Sequence, residues 1–333
     1  MSGWTFPRRA REVIASRWLR LTTRVVAGVG VLTAVVAHVG AGPFLHGVLS
    51  IDVRAIGAAL VLSAIATVAA AWRWRVIAGQ LGTDIPLRTA IGSYYQSQFL
   101  NTVLPGGVIG DVQRALTQGR SAGGIAQATR AVVIERTVGQ LVQIVLAIVV
   151  LAFFGLEFEG YLLAALGIGL ALLAAAALVA AAASARVRGA LRRELDELAA
   201  GVGSPGAFVQ VVAASIVVVV CHVVTFEVAA TAVGAGMPPL RLAAIALVVL
   251  LAASIPLNVG GWGPREGIAG WTFAVAGFGA SAGVAASTLF GVLAFIAVAP
   301  GLVLAAVSAV RRSRPPAPAR ALVLAGTHGR GSP

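Results

Sequence analysis

The sequence predicts an all-α polytopic membrane protein: about six full crossings plus two re-entrant or broken-helix hairpins, eight hydrophobic segments related by an inverted repeat. Three observations predict it. Long apolar runs without a single charge cover 25–51, 55–72, 89–110, 137–156, 160–185, 198–226, 242–264 and 267–310. Arginine clusters lie at the ends of those runs. Two runs are interrupted by proline and glycine, in NTVLPGGVIGDVQR (101–114) and SIPLNVGGWGPRE (254–266).

Composition supports the first observation. The 333 residues are 59% hydrophobic and 11% charged, where a soluble domain carries about a quarter charged residues. A helix needs roughly 20 apolar residues to cross a bilayer, and once such runs are removed too little polar chain remains for a soluble catalytic domain. The expected organisation is a basic cytoplasmic N-terminus (1–21), one transmembrane domain (22–310, repeat halves about 22–154 and 160–310) and a disordered cytoplasmic tail (311–333). The net charge of +13 comes from arginine alone. Because these arginines flank hydrophobic ends, they set membrane orientation and do not signal nucleic acid. The single Cys221 excludes an intramolecular disulfide and a cysteine-based metal cluster. No cofactor or metal site is expected.

Full crossings are expected at about 22–41, 55–78, 128–154, 160–184, 207–234 and 284–310, and hairpins at 89–104 with 111–122 and at 241–256 with 266–280. Arg8, Arg9, Arg11, Arg17, Arg20 and Arg24 place the N-terminus in the cytoplasm. Arg73, Arg75, Arg88, Arg114, Arg120 and Arg130 then read as cytoplasmic flanks, as do the arginines of 186–201 and of 311–320. Asp52, Glu157, Glu159 and GAGMPPLR (234–241) fall outside. The polar arm DVQRALTQGRSAGG is tolerable at membrane depth only when buried in protein or facing a water-filled cavity.

The two breaks share a spacing. Pro105, Gly110 and Arg114 are matched by Pro256, Gly261 and Arg265, and LGTDIPLRTA (81–90) by VGAGMPPLRLA (233–243), at an offset of 151–153 residues. Three crossings and one hairpin per half would insert the second copy with opposite polarity. Proline- and glycine-broken segments at corresponding positions of such halves point to a midplane site. Pro105, Gly106, Gly107 and Gly110, and Pro256, Gly260, Gly261 and Gly263, are therefore the expected helix-break residues. A helix ended inside the membrane offers polar backbone and partial dipole charge to a ligand.

Ionisable groups at membrane depth are costly and face a partner or a cavity. The candidates are Asp111, Arg114, Glu135, Arg136, Arg265 and Glu266, with Asn101 beside the first break and Glu227 inside the fifth crossing. Structural pairing, Asp111 with Arg136 or Arg265 with Glu266, competes with a functional role in which Arg114 and Arg265 hold a phosphate between carboxylates, for arginine's fork suits phosphate. On the functional alternative the two arginines share one cavity. His38 and His222 read as packing polars, and SYYQSQFLN (93–101) either lines a cavity or bonds neighbouring helices. GGVIGD lacks the GK[ST] ending of a phosphate loop.

FLNTVLPGGVIGDVQRA, VIERTVGQ and SIPLNVGGWGPREG resemble the three signature stretches of the lysylphosphatidylglycerol synthase transmembrane family, also called flippase-like, over about residues 20 to 310. Matching positions are Asn101, Pro105, Gly110, Asp111, Arg114, Glu135, Arg136, Pro256, Gly260, Gly261, Gly263, Arg265 and Glu266; Ile109 stands where the family often has a further glycine. The resemblance implies lipid handling: in the best-known relatives this domain moves an aminoacylated phosphatidylglycerol between leaflets, while a separate domain synthesises it. The tail after residue 310 is too short to be that synthase, so the expectation is a non-enzymatic, stand-alone transporter of a lipid or lipid-linked phosphate in the cytoplasmic membrane. The alternative is a non-transporting scaffold or accessory subunit for a lipid-modifying or glycosyltransferase system. Partners on either reading are a membrane lipid and a lipid-modifying enzyme, not nucleic acid.

Orientation is directly testable. In a Cys221→Ala background, cysteines at Ser2, Ser204 and Ser313 are expected to react with impermeant thiol reagent from the cytoplasmic side alone, and one at Gly236 from outside. Outside labelling at Ser204 removes the inverted arrangement.

Overall fold

Why the helices start where they do explains most of the architecture. The computed structural model describes residues 30, 33–104, 107–121, 124–154, 189, 196, 203–254 and 262–313, and these form helices and short turns. Residues 33–39 are helical, followed by α1 (Gly42–Leu49), α2 (Val53–Gln80), α3 (Leu87–Val103), α4 (Ile109–Ser121) and α5 (Ile125–Phe154). The second part holds α6 (Pro205–Ala232), α7 (Pro239–Ala253), α8 (Pro264–Val275), α9 (Ala280–Ala297) and α10 (Ala299–Ser313). Four described stretches are long and apolar enough to cross a membrane: Val53–Gln80, Ile125–Phe153, Pro205–Ala232 and Ala280–Val307. They coincide with four of the six expected crossings. The crossing at 160–184 and half of that at 22–41 lie outside the described residues. The helix α1 was not anticipated; its buried Gly47 packs against α9 so closely that a Cβ would lie 2.5 Å from the Ala285 carbonyl oxygen.

Each expected hairpin is a pair of short helices, α3 with α4 and α7 with α8. With 17, 13, 15 and 12 residues and about 1.5 Å of rise each, none covers the roughly 30 Å of a hydrocarbon core by itself.

The halves repeat at the level of helix ends. Val53 and Leu87 open helices whose counterparts open at Pro205 and Pro239, 152 positions later. The side chains of Asp52 and Ser204 each cap a 28-residue helix by accepting from the N–H three residues on, Ala55 and Ala207. Both helices end alike. Gly82 (φ 82°) and Gly234 (φ 81°) take the left-handed conformation, and Thr83 and Ala235 donate back to the carbonyls of Ala78 and Ala230. That is the Schellman arrangement. Pro86 and Pro238 then start the next helices with nearly the same backbone angles.

After the breaks the offset changes. Ile109 and Ile125 correspond to Pro264 and Ala280, 155 positions later, and Gly124 and Gly279, both left-handed, mark the last pair of starts. This corrects the expected register of 151–153. Asp111 and Glu266 are the equivalent residues, each third in its helix, whereas Arg265 is second in α8 and Arg114 sixth in α4. The physical reason is that Gly263 and Pro264 set the start of α8, and the second break is longer than the first.

Equivalent helices α2 and α6 pack on each other antiparallel. Trp72 and Arg73, near the end of α2, bond Gln210 and Ser215, near the start of α6. Two copies of one unit meeting head to tail is what an inverted repeat requires. The apolar core has two parts. One gathers Phe226, Phe273, Phe290, Ile245 and Leu289 around α6 to α9; the other gathers Trp74, Ile77, Ile85, Tyr94 and Ile134 around α2 to α5. The tail expected to be disordered from 311 is helical to Ser313.

Close approach at the first hairpin depends on Gly110, where a Cβ would collide with the backbone carbonyl of Ser97. Gly57 has nothing within 4 Å. Gly110→Ala is expected to lower the detergent melting temperature as overpacking of roughly 1–3 kcal/mol would, while Gly57→Ala leaves it unchanged or raises it. Equal effects would show that α3 and α4 do not touch there.

Candidate functional site

Three helices of the first half each deliver a charged or aromatic group to one carboxylate on a fourth. Glu135 of α5 is fully buried. Its Oε1 accepts from Arg73 Nε of α2 at 3.0 Å and from the Tyr94 hydroxyl of α3 at 3.1 Å. Its Oε2 accepts from Arg114 Nη2 of α4 at 2.9 Å. Arg73 also bonds Glu135 through Nη2 and donates from Nη1 to Ser215 Oγ of α6 at 3.0 Å. The guanidinium of Arg114 lies 4.5 Å from the ring centres of both Trp74 and Tyr94. Arginine's weakly hydrated plane is the cation suited to such a place.

Asp111 forms the second centre. Its Oδ1 accepts from Arg136 Nη2 at 2.9 Å, from Ser97 Oγ at 3.0 Å and from Arg114 Nη2 at 3.2 Å. As the third residue of α4 it also complements the positive end of that helix. Asn101, one turn after Ser97 on α3, accepts through Oδ1 from the Gly110 N–H at 2.7 Å. The polar end of the break is thereby stitched across to the preceding helix, with Gly107 (φ 62°) making the turn. Pro105 and Gly106 lie outside the described residues.

Charge is not balanced within this cluster. Arg73, Arg114 and Arg136 face two carboxylates, Asp111 and Glu135. Arg73 and Arg114 are buried, and the Arg136 side chain is 47% exposed. Of the three arginines, Arg136 is the exposed one.

Arg136 opens onto two adjoining cavities of about 260 and 300 Å³, a size suited to a small ligand or headgroup. Ala66, Gln98 and His222 line both with it. The first adds Ser63, Asn101 and Thr225, and the second Arg73, Gln140 and Gln143. The walls come from both halves, α2, α3 and α5 facing α6 and α9. Of the polar stripe at 93–101, Gln98 lines both cavities, Asn101 the first and Tyr94 the second; Tyr94 also bonds Glu135, and Gln96 donates to the Leu304 carbonyl. His222 keeps a helix-internal bond, Nδ1 to the Val218 carbonyl at 2.7 Å, while facing the cavities.

The second break holds a separate, neutral pair. Arg265 donates to Glu266 Oε1 at 3.0 Å from Nε and 2.6 Å from Nη2, and to Ser287 Oγ at 3.1 Å. Glu266 Oε2 accepts from the Gly263 N–H at 2.7 Å, closing the first turn of α8 on its own cap. Gly263, at φ 125°, has a conformation that favours glycine. Trp262 and Phe290 flank the guanidinium at 5.4 and 5.3 Å. Pro256, Gly260 and Gly261 lie outside the described residues. Neither Arg114 nor Arg265 lines the two adjoining cavities. The expected pairings Asp111–Arg136 and Arg265–Glu266 are both present; the arginines that reach the cavities are Arg136, which lines both, and Arg73, which lines the second.

Two important residues were not foreseen as site residues. Arg73, read as a cytoplasmic flank, is instead buried in α2 and bonded to Glu135. Its position inside the span 55–78 was the available signal. Gly139 makes room for it: a Cβ there would lie 2.7 Å from Arg73 Nη1. Trp74, whose ring covers Arg114, carried no signal beyond its apolarity. Among the described residues no group of three or more metal-ligating side chains occurs.

The family model described as the lysylphosphatidylglycerol synthase TM region matches residues 21–301. The chain belongs to that family. Of the curated proteins and the solved structures, none matches it. All the site residues just described fall within the matched region, Arg73 and Gly139 included.

Burial separates the roles of the two carboxylate-bound arginine sets. Glu135→Gln leaves Arg73 and Arg114 inside the bundle without their common anion, a loss of roughly 3–5 kcal/mol for a broken buried pair. The expected result is loss of folded protein or a markedly lower detergent melting temperature. Arg136→Gln, altering a half-exposed group, is expected to leave melting nearly unchanged. Both are read by thermal unfolding of the purified protein; the reverse ranking would remove Glu135 as the structural centre.

Proposed function

We propose that this protein is a flippase-like transporter that moves a lipid or lipid-linked phosphate between leaflets of the cytoplasmic membrane, and that it performs no synthase chemistry. The observation that carries the reading is Arg136, the half-exposed member of a net-positive cluster, facing polar cavities between the repeat halves. In this mechanism an anionic headgroup enters the cavities and takes guanidinium donors of Arg136. It competes with Asp111, which holds Arg136 in the empty state. Gln98, Asn101 and Gln140 supply uncharged hydrogen bonds. Glu135, Arg73 and Arg114 keep the frame rigid, and Arg265–Glu266 fastens α8 in the other half. Membership of the family and the antiparallel packing of α2 on α6 support the same reading, since opposed repeats around a midplane site are the usual frame of alternating access. Both termini are cytoplasmic in this proposal.

A leaflet-resolved assay tests it. Proteoliposomes with fluorescent phosphatidylglycerol are expected to show protein-dependent loss of leaflet protection, and Arg136→Gln to slow it at least tenfold with folding intact. No movement of phosphatidylglycerol, or of a polyprenyl phosphate, by the folded wild-type protein would overturn transport and favour a non-transporting accessory role.

A further inference from the structure

Beyond the two polar cavities, Arg136 borders a third space of opposite character. A groove of about 350 Å³ lies between α4 and α5, walled by Val108, Val112, Leu116, Val132 and Val133 and ending on the Asp111–Arg136 pair. Val108, Val112 and Val133 are exposed, so the groove is open at the bundle's outer side. One ion pair thus separates an apolar groove from polar cavities. We infer that a single amphiphile occupies both, its acyl chain in the α4–α5 groove and its phosphate at Arg136, and that its headgroup is net anionic with uncharged substituents rather than aminoacylated and cationic. The inference rests on the transport reading and deepens it by assigning the headgroup class.

The headgroup class follows from what lines the polar side. Among the described residues its charged groups are Arg73 and Arg136, and no carboxylate lines either cavity. The carboxylates bonded to lining residues are already engaged, Asp111 by Arg136, Arg114 and Ser97 and Glu135 by Arg73, Tyr94 and Arg114. An ammonium carried into this space would meet guanidinium groups at low dielectric, with no anion of its own to pair with. Hydroxyl or amide substituents instead find Gln98, Asn101, Gln140, Gln143, Ser63 and Thr225. Selectivity here is largely repulsive, set by the charge that has no partner. The groove selects nothing about the headgroup, and its aliphatic walls offer a chain the contact that Arg136 cannot.

Binding can be measured apart from transport. The probes are dioctanoyl phosphatidylglycerol, which is anionic, and its lysyl ester, which is net cationic, titrated into detergent-solubilised full chain by calorimetry. Phosphatidylglycerol is expected to bind at least tenfold more tightly than the lysyl ester, and Arg136→Gln to remove most of that difference. Val112→Trp, which fills the groove from an exposed wall, is expected to weaken phosphatidylglycerol binding at least fivefold, and it reads the site even if Arg136→Gln does not fold. Equal or tighter binding of the lysyl ester would overturn the inference, as would phosphatidylglycerol affinity unmoved by Val112→Trp. Leaflet assays with both lipids keep the two readings apart. Equal movement of the lysyl ester would leave transport standing and sink the headgroup class. A phosphatidylglycerol preference without leaflet movement would do the opposite.

Discussion

A carboxylate without water must be surrounded, and Glu135 is the group around which this bundle is arranged. Its two oxygens receive donors from α2, α3 and α4 while the residue itself belongs to α5. Arg73 extends the network to Ser215 of α6. Five helices are thus held by one set of charge-assisted hydrogen bonds, which exceed neutral ones in strength. Apolar packing between membrane helices is weakly directional, because lipid tails solvate aliphatic surface as well as another helix does. Here the directional part of the fold comes from the ion cluster. The glycines that let it form, Gly110 against Ser97 and Gly139 against Arg73, are demanded by it.

That arrangement has a consequence for Arg136. Glu135 is already saturated by Arg73, Arg114 and Tyr94, so the adjacent arginine on α5 must look elsewhere. It finds Asp111, which also serves Arg114. One carboxylate shared between two cations and a hydroxyl holds each less firmly than an exclusive pair would. The cation with access to open space is then the one most readily drawn away by another anion. Stability and ligand responsiveness thus divide between neighbouring residues: Glu135 is locked by three partners, and Arg136 is tethered by one.

Much of the frame was legible in the sequence because its signals are local. Charge-free length marked the four described crossings, and proline and glycine marked the broken hairpins at 101–114 and 254–266. The ion-pairing candidates were legible as opposite charges at membrane depth, Asp111 after the first break with Arg136 at the start of the next crossing, and Arg265 with Glu266 after the second break. Less legible was which arginine faces open space. Arg114 follows the first break and Arg136 lies at the start of the next crossing, and it is the rings of Trp74 and Tyr94, from other helices, that close over Arg114. The repeat register slipped for a similar reason. Matching proline to proline and arginine to arginine aligns letters, whereas Pro264 at the first position of α8 and the cap at Gly263 align helix starts, and these differ by about one turn.

With the register set by helix starts, the two halves share a frame but not a chemistry. Positions equivalent to Arg73, Tyr94, Glu135 and Arg136 hold Thr225, Ala246, Phe290 and Gly291. Phe290 packs near Phe226 where its counterpart gathers arginines, and Arg265 occupies the space that Gly291 leaves beside it. Only the helix-start acids Asp111 and Glu266 are kept on both sides, each in a first helical turn where a carboxylate complements the positive end of the helix. The charged wall of the cavities therefore belongs wholly to the first half, and the facing wall, with Cys221, Thr225, Phe290 and Leu293, to the second. A relative shift of the halves would change what covers Arg136 while leaving the contacts of Glu135 with α2 to α4 within one unit. A site with a charged wall on one repeat and an uncharged wall on the other can change its exposure without dismantling its charge balance, which a symmetric cluster bridging both halves could not.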